Sequence, residues 1–218
     1  MRPVIYQIPA ASVNAVALSQ TTTATSAVVV LDGTLRDYAL LTNGVYQVDL
    51  GDGIQRSATV TSTGDLSTAT FTITGINVLG QAVSTSFAGP NNTTASTGVQ
   101  FAAITSVTVG TLATVAFTVG SGALGVTNWT TMDYFQTPFN VSVSCIVLAT
   151  TNIVTVQDTS QSPSATTFAT TMIFTHPTLS ALTTSTQGSY AYPVGYIRAS
   201  FTSATADSSV TITQAGLA

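Results

Sequence analysis

Apolar and small polar side chains alternate through most of this chain, and residues 67–87 show the pattern most plainly. Phe71 and Ile73 alternate with Thr70, Thr72 and Thr74, and Val83, Thr85 and Phe87 alternate with Ser84 and Ser86. A period of two puts one face of a strand on a core and the other in water. Between the two runs lie Gly75, Asn77 and Gly80. Glycine and asparagine tolerate the positive φ that a tight reversal needs. The stretch therefore predicts a β-hairpin.

The same chemistry recurs along the chain. Residues 27–31 read as a buried strand closed by Asp32-Gly33, and Asn43-Gly44 reads as a second hairpin turn between 38–41 and 45–50. Further strands are predicted at 55–62, 100–109, 113–119, 139–147, 153–157, 167–174, 194–201 and 209–214, with polar loops at 88–98, 158–165 and 185–189. Pro3 and Pro9 make residues 1–12 an extended arm, either frayed or laid against a neighbour. Three glycines within residues 120–125 predict a flexible connection and a domain boundary. The expected fold is all-β: an arm over 1–12, then two antiparallel β-sandwich or jelly-roll-like domains over 13–120 and 126–218.

Composition strengthens that reading. The chain of 218 residues holds 43 Thr, no Lys and no Glu. Exposed helix faces are usually built from Lys, Glu, Gln and Arg, whereas Thr and Val suit a pleated surface. Charged residues are 6 % and the net charge is −4. A free soluble domain carries about a quarter charged residues, and depletion of charge marks the centre of an interface. Much of this surface is therefore expected to be covered in an assembly. Arg2, Arg36, Arg56 and Arg198 form no cluster in the sequence, so no nucleic-acid or anionic-membrane partner is expected. No run of about 18 apolar residues suggests a membrane-spanning helix, and the first residues lack the apolar core of a signal peptide.

Candidate chemistry is sparse. Cys145 lies alone in an apolar strand and reads as a buried, inert thiol. His176 has no defensible Ser or Asp partner by spacing, and nothing brings Asp133 and Asp158 together as a carboxylate pair. The acidic stretch 49–53 is too sparse for a calcium loop and reads as a turn. No catalytic residue, cofactor or metal is expected. The aromatic group Trp129, Tyr134, Phe135 and Phe139 reads first as domain core, and otherwise as an interface anchor or a sugar-stacking platform. In the arm, Val4, Ile5, Tyr6 and Ile8 are candidates for docking on another chain by strand addition.

Several segments resemble a known class. They are residues 129–142 (Trp-Thr-Thr-Met-Asp-Tyr-Phe-Gln-Thr-Pro-Phe-Asn-Val-Ser), Phe174-Thr175-His176-Pro177, residues 190–198 and the stretch from Phe71 to Phe101. Together they resemble Thr/Ala-rich structural proteins encoded in the morphogenesis regions of tailed bacteriophages. The resemblance implies a non-enzymatic virion component, made in the bacterial host cytoplasm and built into the particle. Its implied partners are copies of itself and other virion proteins. A capsid decoration or cement protein is the first expectation, and a neck, collar or tail protein the second. A carbohydrate-binding module or adhesin, with Trp129 and Tyr134 as the platform, is the rival from a different class.

Overall fold

A computed structural model describes residues 3–42, 45–50, 53–111, 113–165 and 167–215. The Asn43-Gly44 reversal, and Gly51 and Asp52 of the acidic stretch, lie outside the described residues. The early strands are β1 (Val4–Ile8), β2 (Ser12–Gln20), β3 (Ala27–Val28), β4 (Arg36–Thr42), β5 (Val45–Asp49) and β6 (Ile54–Ser62). There follow β7 (Thr70–Ile76), β8 (Ala82–Ala88), β9 (Thr94–Phe101), β10 (Ala103–Val109), β11 (Phe117–Thr127) and β12 (Thr130–Thr131). The last are β13 (Val141–Val147), β14 (Ile153–Thr159), β15 (Phe174–Thr175), β16 (Thr186–Tyr190), β17 (Tyr196–Ser203) and β18 (Ser208–Gln214). Among the described residues the only helical segment is a 3-10 turn at Thr170–Met172, and no helix is long and apolar enough to cross a membrane. The protein is an all-β, sandwich-type fold of antiparallel strands.

The chain divides into two compact units. One is Ala11–Gly125, and the other joins the residues before Ala11 to those from Val126 onward. In the first unit one sheet runs β4-β5-β10-β7-β8, with β3 also on β10, and a second layer is formed by β11-β6-β9 with β2 on β11. The predicted hairpin is β7–β8, in register from Thr70↔Ala88 to Ile76↔Ala82. Its turn is held by Asn77, whose side-chain oxygen accepts the backbone N–H groups of Leu79 (2.9 Å) and Gln81 (3.0 Å), while Gly80 takes φ +73°. Phe71 and Ile73 are fully buried, which contributes roughly 1.5–3 kcal/mol each. The Phe71 ring meets the edge of Phe117 at 5.0 Å, so one hairpin face closes on the opposite layer.

The glycines at 120–125 do not form a flexible connection. They lie inside β11, and the chain passes from one unit to the next within that strand. Gly120 and Gly122 are there for close approach: a Cβ at Gly120 would strike the carbonyl oxygen of Ser12, and one at Gly122 the hydroxyl of Ser57. Glycine in a strand interior can mark such contact as readily as a linker.

In the second unit one sheet has the order β1-β18-β13-β16, and β15-β14-β17 with β12 on β17 forms the other layer. Three local expectations change here. Residues 185–189 are not a loop but most of β16, paired with β13 from Val141↔Tyr190 to Cys145↔Thr186. Gly188, which weakens the strand signal in sequence, packs closely under Leu179, whose side chain would have to shift to admit a Cβ 2.8 Å away. Residues 167–174 are mostly not strand: the 3-10 turn precedes the two-residue β15. Asp158 belongs to β14 rather than to the loop after it.

Candidate interaction site

The arm residues pair with their own chain. β1 runs antiparallel to β18, from Val4↔Ile212 to Ile8↔Ser208, and forms an edge of the four-stranded sheet. Tyr6 and Ile8 point inward and are buried. The Tyr6 hydroxyl shares a 2.9 Å hydrogen bond with Thr130, and burial raises its pKa. Val4 is partly covered, and Ile5 projects with 57 % of its surface exposed. The sequence showed an extended apolar segment. It could not show that the matching strand is the last one in the chain, some two hundred residues away.

Trp129 and the Tyr134–Phe135 pair part company. Trp129 is half-buried, with the guanidinium carbon of Arg198 4.4 Å above its ring and Phe168 edge-on at 6.1 Å. Arg198 is held there by its Nε hydrogen bond to Gln157 Oε1 at 2.9 Å. Burial lowers the Arg198 pKa to about 10, still well above neutrality, so the cation–π contact persists. One face of Trp129 is therefore not open to a sugar ring.

Tyr134 and Phe135 do the opposite. Phe135 is 81 % exposed and Tyr134 52 %, with ring centroids 4.3 Å apart and planes tilted by 39°. Their loop is firmly tied. Met132 N–H donates to Gly195 O at 2.8 Å. Asp133 N–H donates to Gln214 Oε1 at 2.9 Å, and Gln214 Nε2 returns a 2.7 Å bond to Asp133 O. Asp133 Oδ1 then accepts the Phe135 N–H at 3.1 Å. These bonds hold two large aromatic side chains in water, against the general tendency to bury them.

A buried polar cluster also forms in this unit, which residue spacing could not reveal. Asp158 on β14, His176 and Tyr190 on β16 are each at least 95 % buried. Tyr190 donates its hydroxyl to Asp158 Oδ1 at 3.1 Å, and the His176 ring stands edge-on to Tyr190 at 4.6 Å. His176 Nδ1 accepts the N–H groups of Thr178 and Leu179, both at 3.2 Å, which leaves the ring proton on Nε2 facing the Ser189 carbonyl at 3.3 Å. Burial raises the Asp158 pKa, an effect opposed by the Tyr190 hydrogen bond and by His176. Burial first, and then Asp158, raise that of Tyr190. The cluster joins two layers of the unit. Its buried, mutually bonded groups tie those layers together.

Cys145 is buried, and burial lifts its thiol pKa to about 11, which leaves it a poor nucleophile at neutral pH. Among the described residues no three His, Cys, Asp or Glu side chains gather in a group that could hold a metal. No protein-family model matches the chain, and no curated protein is significantly similar to it.

Proposed function

We propose that this protein is a non-enzymatic structural component of a bacteriophage virion, a capsid decoration or cement protein that bridges shell subunits through apolar and main-chain contacts. The observation that carries the reading is Phe135, four-fifths exposed beside Tyr134 on a loop braced by hydrogen bonds, in a chain with 6 % charged residues. Rigid exposed aromatics are what a protein interface uses as anchors. A chain so poor in charge has little to keep such a patch soluble when free. The segments that resemble tailed-phage structural proteins supply the class of assembly. A neck, collar or tail position uses the same surface chemistry. The carbohydrate-binding alternative is weakened by Arg198, which covers one face of Trp129.

The test is the source particle. Quantitative mass spectrometry of purified virions, together with averaged electron-microscopy density, is expected to find this chain at a fixed copy number on the shell. A ring of copies at the neck or tail selects the second position. Absence from purified particles refutes the virion reading, and glycan binding lost with Tyr134→Ala in a folded variant favours the adhesin class.

A further inference from the structure

We propose that β8 pairs with β8 of a second copy of this chain, antiparallel about a two-fold axis through Thr85, so that the sheets of two first units join edge to edge. The inference goes beyond the virion reading and stands on this strand alone.

β8 ends the path β4-β5-β10-β7-β8, and among the described residues β7 is its one sheet neighbour. The bonds at the two ends of the hairpin fix which main-chain groups face away from β7. Gly89 N–H donates to Ala69 O at 2.7 Å, and Asn77 N–H donates to Gln81 O at 3.0 Å. Opposite residues of an antiparallel pair alternate between bonded and non-bonded. The register between those ends is unbroken, so Val83, Thr85 and Phe87 are the residues bonded to β7. Ala82, Ser84, Ser86 and Ala88 turn their N–H and C=O groups outward, and all four are exposed.

Sheet edges are normally guarded by charge, proline, a bulge or shortness, because an open edge is a template for another strand. Other edges of this chain carry such guards. β1 lies between Pro3 and Pro9. β4 carries Arg36 and Asp37 and shifts register against β5. β9 shifts register against β6, and β15 has two residues. β8 has none of these devices: seven residues, Ala-Val-Ser-Thr-Ser-Phe-Ala, without charge, proline or register shift.

The strand itself names the occupant. A two-fold contact needs a surface complementary to its own copy, in which residue i meets j and j meets i. β8 reads nearly alike in both directions about Thr85: Ala82 matches Ala88, Ser84 matches Ser86, and Val83 and Phe87 are both apolar. An axis at Thr85 is the register that pairs all four outward residues, Ala82 with Ala88 and Ser84 with Ser86. Each bonded pair exchanges two hydrogen bonds, about eight across the contact, against about 10 in a typical interface. The same register sets Val83 opposite Phe87 on the core-facing side, an aromatic–β-branched pair that favours strand pairing. Both side chains pack on the core of the first unit yet stay partly exposed, and Phe87 stacks on Phe71 at 6.2 Å. Pairing therefore extends that apolar layer across the axis. On the solvent side the Ser86 and Ser84 hydroxyls share hydrogen bonds with Thr72 (2.7 Å) and Thr74 (3.2 Å). β8 brings no charge to be desolvated, and the contact holds no ion pair for salt to screen.

Sedimentation of the full chain over a range of concentrations tests this. The wild type is expected to dimerise equally at low and high salt. Two charged variants, Ser84→Lys with Ser86→Lys and Ser84→Asp with Ser86→Asp, place like charges opposite each other and are each expected to stay monomeric. Mixed one to one, they place opposite charges face to face and are expected to form a heterodimer that weakens as salt rises. Ser84 and Ser86 are exposed, and thermal melting close to that of the wild type checks that both variants fold. Thr85→Cys tests the axis directly. Opposite non-bonded residues hold their Cβ atoms about 4.5–5.5 Å apart, so oxidation with diamide is expected to give a covalent dimer. The wild type, whose Cys145 is buried, is expected to give none. A wild type that is monomeric up to its solubility limit overturns the proposal. So do folded charged variants that associate like the wild type, or a mixture that stays monomeric. If a charged variant does not fold, Thr85→Cys decides, and its failure to cross-link overturns the proposal. A monomeric chain found in purified particles removes this contact and leaves the virion reading standing, and a dimer absent from particles does the reverse.

Discussion

The Tyr190–Asp158 hydrogen bond separates two contributions to stability that usually change together. Tyr190→Phe removes one hydroxyl and keeps the ring, so the edge contacts to His176 at 4.6 Å and Tyr192 at 5.6 Å survive. What is lost is a 3.1 Å hydrogen bond to a carboxylate that is 5 % exposed. A hydrogen bond to a charged group contributes about 1.5–3 kcal/mol. In a unit of about a hundred residues, where 1 kcal/mol moves the melting point by roughly 4–8 °C, a loss of about 2 kcal/mol lowers it by roughly 8–16 °C. Asp158→Asn tests the titration of the same group. The amide oxygen can still accept from Tyr190, but the carboxyl proton equilibrium is gone. Burial raises the Asp158 pKa above its unfolded value, so the folded state holds its proton to higher pH than the unfolded chain does. Stability from this group is therefore present at low pH and lost as pH rises through the folded pKa. Thermal melts from acid to neutral pH are expected to show Tyr190→Phe destabilised, and Asp158→Asn with a flatter pH profile than wild type. An unchanged Tyr190→Phe, or an Asp158→Asn whose stability varies with pH as the wild type's does, would refute this account of the cluster.

Three other expectations follow from single contacts. Trp129→Ala loses the Arg198 and Phe168 ring contacts and part of a half-buried side chain. Chemical denaturation should show a loss of about 2–3 kcal/mol, below the 3–5 of a fully buried large aromatic. Gly122→Ala forces a methyl group against Ser57, with an overpacking cost of about 1–3 kcal/mol, and limited proteolysis is expected to leave residues 120–125 intact because they lie in a strand. Deleting residues 1–9 removes β1 together with buried Tyr6 and Ile8, about 1.5–3 kcal/mol each; calorimetry is expected to show a destabilised second unit, whereas an unchanged melting profile would show that β1 contributes nothing to it.

The sequence by itself determined the fold class, because side-chain alternation and residue type are local properties. Thr and Val, without Lys or Glu, specify pleated surface, and Phe71 and Ile73 alternating with threonines specify which face is buried. The Asn77–Gly80 reversal was legible for the same reason: one side chain and one positive φ make the turn. Where local signals were ambiguous, contacts far along the chain decided. Glycines at 120 and 122 read as a linker but are packed in β11 against Ser12 and Ser57. Gly188 read as loop, yet it lies in β16 because that segment pairs with β13, with Gly188 opposite Val143. The arm residues were recognised as extended and apolar, but only tertiary structure paired them with β18. Among the aromatics the sequence identified the group and not its division: Arg198 covers Trp129, while the bonds from Asp133 to Gln214 hold Phe135 in solvent. Asp158, His176 and Tyr190 came together without any motif, because they arrive from segments whose spacing along the chain carries no trace of their proximity.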